Sequence, residues 1–418
     1  MKKAELLSPA GTYRNMRYAF AYGADAVYAG QPRYSLRVRE NDFKNQETLA
    51  RGIEEAHRLG KQFFLASNLA PHNNKVRTYL RDLEPIIAMG PDALIMSDPG
   101  LIMMVREKWP DMPIHLSVQA NAVNYATVKF WQKMGLTRII LSRELSLDEI
   151  REIRQECPDI ELEVFVHGAL CIAYSGRCLL SGYMTHRDSN QGACTNSCRW
   201  KYTARPARET DTGDVLPLHP EQSGKTPLFV LEEKGRPGEL MPAYEDENGT
   251  YIMNSKDLRA VQHVQTLMQM GIDCLKIEGR TKSHYYTART TRVYRQAIDD
   301  AMAGKPFDMR LMDELEGLAN RGYTEGFYRR HPPAEYQNYE RGFSRSDRQQ
   351  FVGEALDYDA RQGLLRVAVK NRFGVGDKLE LMTPAGNLVW PLNQLLDAKG
   401  HATDVAPGSG HEVLIPLE

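Results

Sequence analysis

Short apolar runs recur through the first two-thirds of the chain, each followed by a turn and a helical stretch. They fall at 5–7, 26–29, 62–66, 93–96, 114–118, 138–141, 162–166 and 274–277, eight in all. Their nearly continuous apolar character is that of parallel strands buried on both faces. The stretches between them, such as 46–59, 76–89, 125–134 and 147–155, keep one face apolar at helical spacing; Leu49, Ile53, Ala56 and Leu59 mark one such face. Eight strand–helix units predict an α/β fold, a (β/α)8-like barrel, with an open doubly wound sheet as the alternative.

The repeat is interrupted once. About a hundred residues separate the seventh run from the eighth, where a helical crossover needs only a few tens. An insertion of that length at that place is usually functional. Its span is taken as 169–254, and its part from 211 to 249 is rich in Pro, Gly and charge. The pattern 284–302 predicts the closing helix, stopped by Gly304-Lys305-Pro306. The barrel domain is thus expected over 1–330, with a linker over 331–344. From 345 to 418 the pattern changes to short alternating strands (364–369, 378–381, 412–415) with turn signals at 374–377 and 384–387. This predicts a small C-terminal all-β barrel.

Composition narrows the function. The 418 residues carry a formal net charge of −1, so no global field draws the chain to nucleic acid or membrane. The apolar run after Met1-Lys2-Lys3 is too short for a signal-peptide core, and the run at 101–105 is too short to span a bilayer. The expectation is a cytoplasmic protein with no membrane partner. In that compartment disulfides are disfavoured, so clustered cysteines point to metal or redox chemistry.

Four of the six cysteines lie in the insertion: Cys171, Cys178, Cys194 and Cys198, spaced Cys-x6-Cys-x15-Cys-x3-Cys. Thiolates are soft ligands that suit Zn²⁺ or an iron–sulfur cluster. Cys171 follows the seventh strand, and loops after strands form the catalytic face of a parallel barrel. Cys274 is the rival fourth ligand, but it starts the eighth strand, whose far end should carry that face. Cys157, beside Pro158, reads as structural.

The motif Glu163-x-Phe165-x-x-Gly168-Ala169-Leu170-Cys171-x4-Gly176-x-Cys178-x-Leu180-Ser181 resembles the signature of the collagenase-like peptidase family U32. Leu7-Ser8-Pro9-Ala10-Gly11, Arg187-Asp188-x-Asn190-x-Gly192, Cys198-Arg199-Trp200 and Lys276-Ile277-Glu278-Gly279-Arg280 extend the resemblance over nearly the whole chain. It implies an iron–sulfur protein, with a 4Fe–4S cluster, rather than a protease. The nearest branch implies oxygen-independent hydroxylation of the wobble uridine of tRNA to 5-hydroxyuridine, with prephenate as the oxygen source. Zinc is the alternative metal. Some relatives carry a cysteine after the Asp-Leu pair; here that position is Arg259, which favours Cys198 as fourth ligand and leaves Cys274 as its rival.

Residues 169–210 hold six Lys/Arg against two Asp/Glu, among them Arg177 and Arg199. The stretch 276–295 holds six against one, with Tyr285, Tyr286 and Tyr294 interleaved. Cations bind phosphates and aromatics stack on unpaired bases, so both stretches are candidates for tRNA contact. His167 and Glu278 are expected to transfer protons; Lys276, Arg280, Arg177 and Arg199 are expected to bind substrate, Arg280 through a carboxylate of prephenate. Gln119, Asn121, Arg143 and Glu144 follow the fifth and sixth strands and rank behind them. A homologous partner subunit or electron donor is a further expected partner. The alternatives are a peptidase, for which no His-Glu-x-x-His or Gly-x-Ser-x-Gly motif is present, and a non-catalytic scaffold that binds RNA or a partner.

Overall fold

The computed structural model describes residues 1–36, 42–43, 45–170, 195, 197, 256–320, 322–329 and 349–417, together with the backbone of the strands within 202–250. Strands β1 (Glu5–Pro9), β2 (Ala26–Gly30), β3 (Gln62–Ser67), β4 (Ala93–Met96), β5 (Ile114–Leu116), β6 (Arg138–Ile140) and β7 (Glu161–Ala169) pair side by side in chain order, all parallel. The insertion carries β8 (Tyr202–Glu209), β9 (Val215–Pro217), β10 (Leu228–Glu233), β11 (Leu240–Asp246) and β12 (Gly249–Thr250), which form a sheet in the order β12-β11-β10-β8-β9. The chain returns as β13 (Asp257–Arg259), and β14 (Cys274–Ile277) then pairs in parallel with both β7 and β1. That double pairing closes a barrel of eight parallel strands, as the apolar runs predict.

The helices that ring it are α1 (Tyr13–Ala21), α2 (Gln46–Arg58), α3 (Asn73–Val76), α4 (Tyr79–Ile87), α5 (Pro99–Lys108), α6 (Tyr125–Lys133), α7 (Leu147–Glu156), α8 (Val264–Gln269) and α9 (His284–Met302). Thr12, Asn45, Asp98, Asn124, Ser146 and Ser283 cap six of them by accepting a backbone N–H with the side chain. The helix expected over 76–89 is broken before Tyr79. Tyr34 Oη reaches the carbonyl of Lys75 at 3.4 Å and the Thr78 hydroxyl at 2.7 Å, so side chains occupy the groups that would continue the helix. No helix among the described residues is long and apolar enough to cross a membrane.

The barrel interior holds charge as well as hydrocarbon. Glu163 on β7 is fully buried and accepts from Lys276 Nζ of β14 at 2.6 Å and from Arg138 Nη1 of β6 at 3.4 Å. Arg138 also donates to Glu5 of β1 at 2.7 Å and to Glu161 at 2.8 Å. Lys276 Nζ lies 4.5 Å from the centre of the Tyr28 ring on β2. Burial lowers the pKa of Lys276, against the pull of Glu163, and raises that of Glu5. The group ties β1, β6, β7 and β14 together across the seam where the ring closes. Cys274 belongs here: its Sγ points to Glu5 at 3.4 Å, and its Cα pairs with Glu5 at the N-terminal ends of the strands.

The chain divides into two compact units, Met1–Leu315 with Ala319–Arg345, and Glu316–Leu318 with Ser346–Glu418. In the second unit, β15 (Gly353–Asp359), β16 (Leu364–Val369), β17 (Leu396–Asp397) and β18 (Glu412–Pro416) form an antiparallel sheet in the order β15-β16-β18-β17. Two antiparallel ribbons accompany it. Leu365, Val367, Val369, Phe373, Val413 and Ile415 belong to its core, so the all-β expectation holds in the form of sheets and ribbons about one apolar centre.

Glu163→Ala should strand the buried Lys276 cation, remove one of three carboxylates from Arg138, and lower stability by about 3–5 kcal/mol. Urea unfolding checks this, and an unchanged midpoint would show that the network does not hold the barrel shut.

Candidate functional site

The strands of the barrel end on a polar rim. Ser97 Oγ donates to the carbonyl of Asn68, Asn68 Nδ2 donates to Ser117 Oγ, each at 3.2 Å, and Ser142 Oγ donates to Asn121 Oδ1 at 2.7 Å and also meets Glu144. Asn121 takes a left-handed backbone (φ 55°), which asparagine tolerates better than most residues. The loops after β3 to β6 therefore present amides and hydroxyls at the mouth.

The exit of the insertion is held from two sides. At Ala169, the last residue of β7, the carbonyl accepts from Arg143 Nη1 at 2.8 Å and the N–H donates to Glu278 Oε2 at 3.2 Å. Arg143 also lies 3.9 Å from the centre of the Phe165 ring. The preceding Gly168 has φ 109°, and a Cβ there would stand 2.6 Å from the Glu278 carbonyl oxygen. Only glycine fits where β7 and the loop after β14 approach so closely. On its return the chain pairs Asp257 with Ala169, Leu258 with Gly168 and Arg259 with His167, antiparallel. The insertion thus leaves and re-enters the barrel at one point on the C-terminal rim.

His167 does not face that mouth. Lys276 pairs with Phe165 but Ile277 pairs with His167, so Val166 is an extra residue and the strand bulges. The bulge turns His167 outward into a cage of Tyr286, Tyr294 and Tyr323, with ring centres 5.8, 5.6 and 5.5 Å away. Tyr294 Oη lies 3.4 Å from His167 Nδ1 and itself donates to the Val166 carbonyl at 2.6 Å. Burial, with Arg259 and Lys282 nearby, drives the imidazole pKa down to about 3. The ring is neutral at physiological pH.

The expected substrate cations have partners within the protein. Lys276 is the interior partner of Glu163, and Arg280 spends its fork on the loop after β2, donating to Ser35 Oγ at 2.7 Å and to the Leu36 carbonyl at 2.8 Å. Of the three tyrosines read as base-stacking candidates, Tyr286 and Tyr294 are buried in the core and unavailable to a base. Cys171, Cys178, Cys194, Cys198, Arg177 and Arg199 lie outside the described residues. The sequence reading passed over two groups. Arg143 ranked low because nothing local reveals that it reaches Ala169. Arg14 and Arg17 on α1 were missed, although the absence of any acid from 10 to 24 was a signal in plain view.

Comparison with known proteins places this arrangement. The family model described as peptidase family U32 matches residues 11–338. The chain belongs to peptidase family U32. The family's C-terminal domain model matches residues 347–418. Within U32 the chain is 64% identical to tRNA hydroxylation protein P of Escherichia coli, over 100% of this chain and 94% of the relative. It is 61% identical to tRNA hydroxylation protein P of Haemophilus influenzae, over 99% of this chain and 93% of the relative. It is also 30% identical to the 23S rRNA 5-hydroxycytidine C2501 synthase of Escherichia coli, over 100% of this chain and 53% of that protein.

The caged histidine makes a pH prediction. The unfolded imidazole takes up a proton below about pH 6.5, whereas the folded one resists until about 3. The stabilisation from His167 is therefore complete above about pH 6.5 and is lost as pH falls towards 3, by up to about 1.4 kcal/mol per pH unit. His167→Phe should flatten the decline in urea-unfolding free energy between about pH 6.5 and 4; parallel curves for the two proteins would contradict the assignment. Gly168→Ala should push the β14 loop away from Ala169 and cost about 2 kcal/mol or more, visible as a lowered melting temperature. An unchanged melt would mean that the close approach carries no constraint.

Proposed function

We propose that this chain is a tRNA-modifying enzyme that hydroxylates the wobble uridine to 5-hydroxyuridine without molecular oxygen, using prephenate as co-substrate. The observation that carries the reading is the full-length 64% identity to a tRNA hydroxylation protein. The likeness to an rRNA cytidine hydroxylase supports the same class of chemistry.

We assign the metal centre to Cys171, Cys178, Cys194 and Cys198. The donor set is four soft thiols in one insertion, which fits a 4Fe–4S cluster, with zinc as the alternative. The fixed exit of that insertion at Ala169 supports the assignment. When bound, the cluster would supply electron transfer, fed by an electron donor or partner subunit.

Around it the chain's own residues have separate tasks in this reading. Among the described residues Arg143 Nε has no hydrogen-bond partner, which makes that guanidinium a candidate anchor for a carboxylate of prephenate. Arg177 and Arg199 are candidates for tRNA phosphate or the second carboxylate. Glu278, partly exposed beside Ala169, is the candidate proton carrier, whereas the neutral, enclosed His167 serves to pack β7 against α9. The family description favours proteolysis as a second reading, and a scaffold that binds RNA without catalysis is a third.

Nucleoside mass spectrometry separates them. In a strain lacking this gene and any oxygen-dependent enzyme of the same specificity, 5-hydroxyuridine derivatives should vanish from tRNA. They should return with the parent gene and not with Cys171→Ser. Undiminished derivatives in the deletion strain would overturn the reading, and full rescue by a protein lacking all four cysteines would leave only the scaffold. Anaerobically purified protein should contain iron and sulfide; colourless protein with bound zinc would replace the cluster by zinc.

A further inference from the structure

Two stretches free of acid lie side by side at the rim of the barrel. Residues 10–24 carry Arg14 and Arg17 and no Asp or Glu; residues 279–296 carry Arg280, Lys282, Arg289, Arg292 and Arg295 and again none. The first forms α1 and the second the front of α9, and the two helices pack against each other. Both begin after the C-terminal ends of their strands, β1 and β14, so both open onto the rim from which the insertion departs. They are joined there: Asn15 Nδ2 donates to the Lys282 carbonyl at 2.9 Å, and a Cβ on Gly11 would stand 1.7 Å from the Arg280 carbonyl oxygen.

Apart from Glu55, the acids that meet this face lie at the other end. Asp25 and Asp299 take Arg295, Glu314 takes Arg292, and Arg289 is buried with its guanidinium on Tyr285 Oη. Towards the rim, Arg14 is exposed, and Arg17 keeps 67% of its side chain in solvent although Glu55 lies 3.3 Å away. Between the two arginines and α9 is a row of rings. Tyr18 and Tyr22 are parallel, 6.2 Å apart with 8° between their planes, and the His284 ring is 5.0 Å from that of Tyr18. Arg14 hydrogen-bonds to the Tyr18 hydroxyl, which holds cation and ring together.

Exposed guanidinium groups beside the partly exposed rings of Tyr18 and His284 meet the two chemistries of a folded RNA, its phosphodiester backbone and its unpaired bases. We propose that this ridge of α1 and α9 docks the tRNA substrate, Arg14 and Arg17 contacting phosphates and Tyr18 with His284 receiving an unpaired base. The inference rests on the tRNA reading above and adds to it a surface, made of residues outside the cysteine-bearing insertion. An acidic protein partner would satisfy the arginines without needing a flat base to stack on Tyr18 and His284, and the test separates the two.

The test is tRNA binding by the full-length protein, followed by fluorescence anisotropy at several salt concentrations. Arg14→Gln/Arg17→Gln should weaken binding about tenfold and reduce the slope of log affinity against log salt by about one to two. Tyr18→Ala should weaken it about fivefold or more at unchanged slope. Thermal melts of each variant accompany the titrations, and Tyr18→Phe, which keeps the ring and loses only the hydroxyl that meets Arg14, should restore the fold and most of the affinity. If the parent binds tRNA and the variants bind it equally well, the ridge is wrong while the tRNA reading stands. If the parent does not bind tRNA, both fall. Polyglutamate bound with the same arginine dependence and no Tyr18 dependence would assign the ridge to an acidic protein and overturn the proposal.

Discussion

The buried carboxylate of Glu163 is the group on which the rest of the barrel depends. It is fully enclosed, and Lys276 and Arg138 meet it from β14 and β6. Those bonds cross the seam at which the eighth strand, after a long detour through the insertion, must find the first and seventh. Hydrophobic burial is non-directional and would tolerate a slipped register; a buried ion pair does not. The network therefore sets the height of β7 against β14, and with it the height at which β7 ends.

What happens at that end follows from the register. With Lys276 opposite Phe165, the chain has one residue too many before Ile277, and Val166 bulges. The bulge sends His167 outward into its tyrosine cage and brings Gly168 against the Glu278 backbone. Ala169 is then within reach of Arg143 on one side and Glu278 on the other. Two residues further on stands Cys171. The interior ions and the rim contacts are thus successive steps along one strand, and the insertion hangs from its last residue.

Much of this was legible in the sequence, for identifiable reasons. Parallel strands buried on both faces leave short, nearly continuous apolar runs, so all eight were visible, as was the closing helix that ends before Gly304-Lys305-Pro306. The resemblance to U32 was carried by motifs that coincide with these strand ends. The directions and partners of side chains were not legible. A single extra residue reverses His167, and nothing in its neighbours announces the bulge. Lys276 and Arg280 looked like free cations because their partners, Glu163 and the loop at Ser35, are distant in sequence. Tyr286 and Tyr294 look the same in sequence whether they face solvent or core, and the packing of α9 against the barrel decided for the core. Arg14 and Arg17 acquire meaning only when α1 is seen beside α9.

In the proposed reading a U32 chain of this kind modifies RNA rather than cutting protein. The most direct measurement is reconstitution under anaerobic conditions: purified, reduced protein with unmodified tRNA and prephenate, followed by nucleoside mass spectrometry. Wobble uridine heavier by one oxygen atom is expected, dependent on prephenate and lost in Cys171→Ser. Unmodified uridine from protein with a full complement of iron and sulfide, alongside cleavage of a denatured protein substrate by the same preparation, would contradict it.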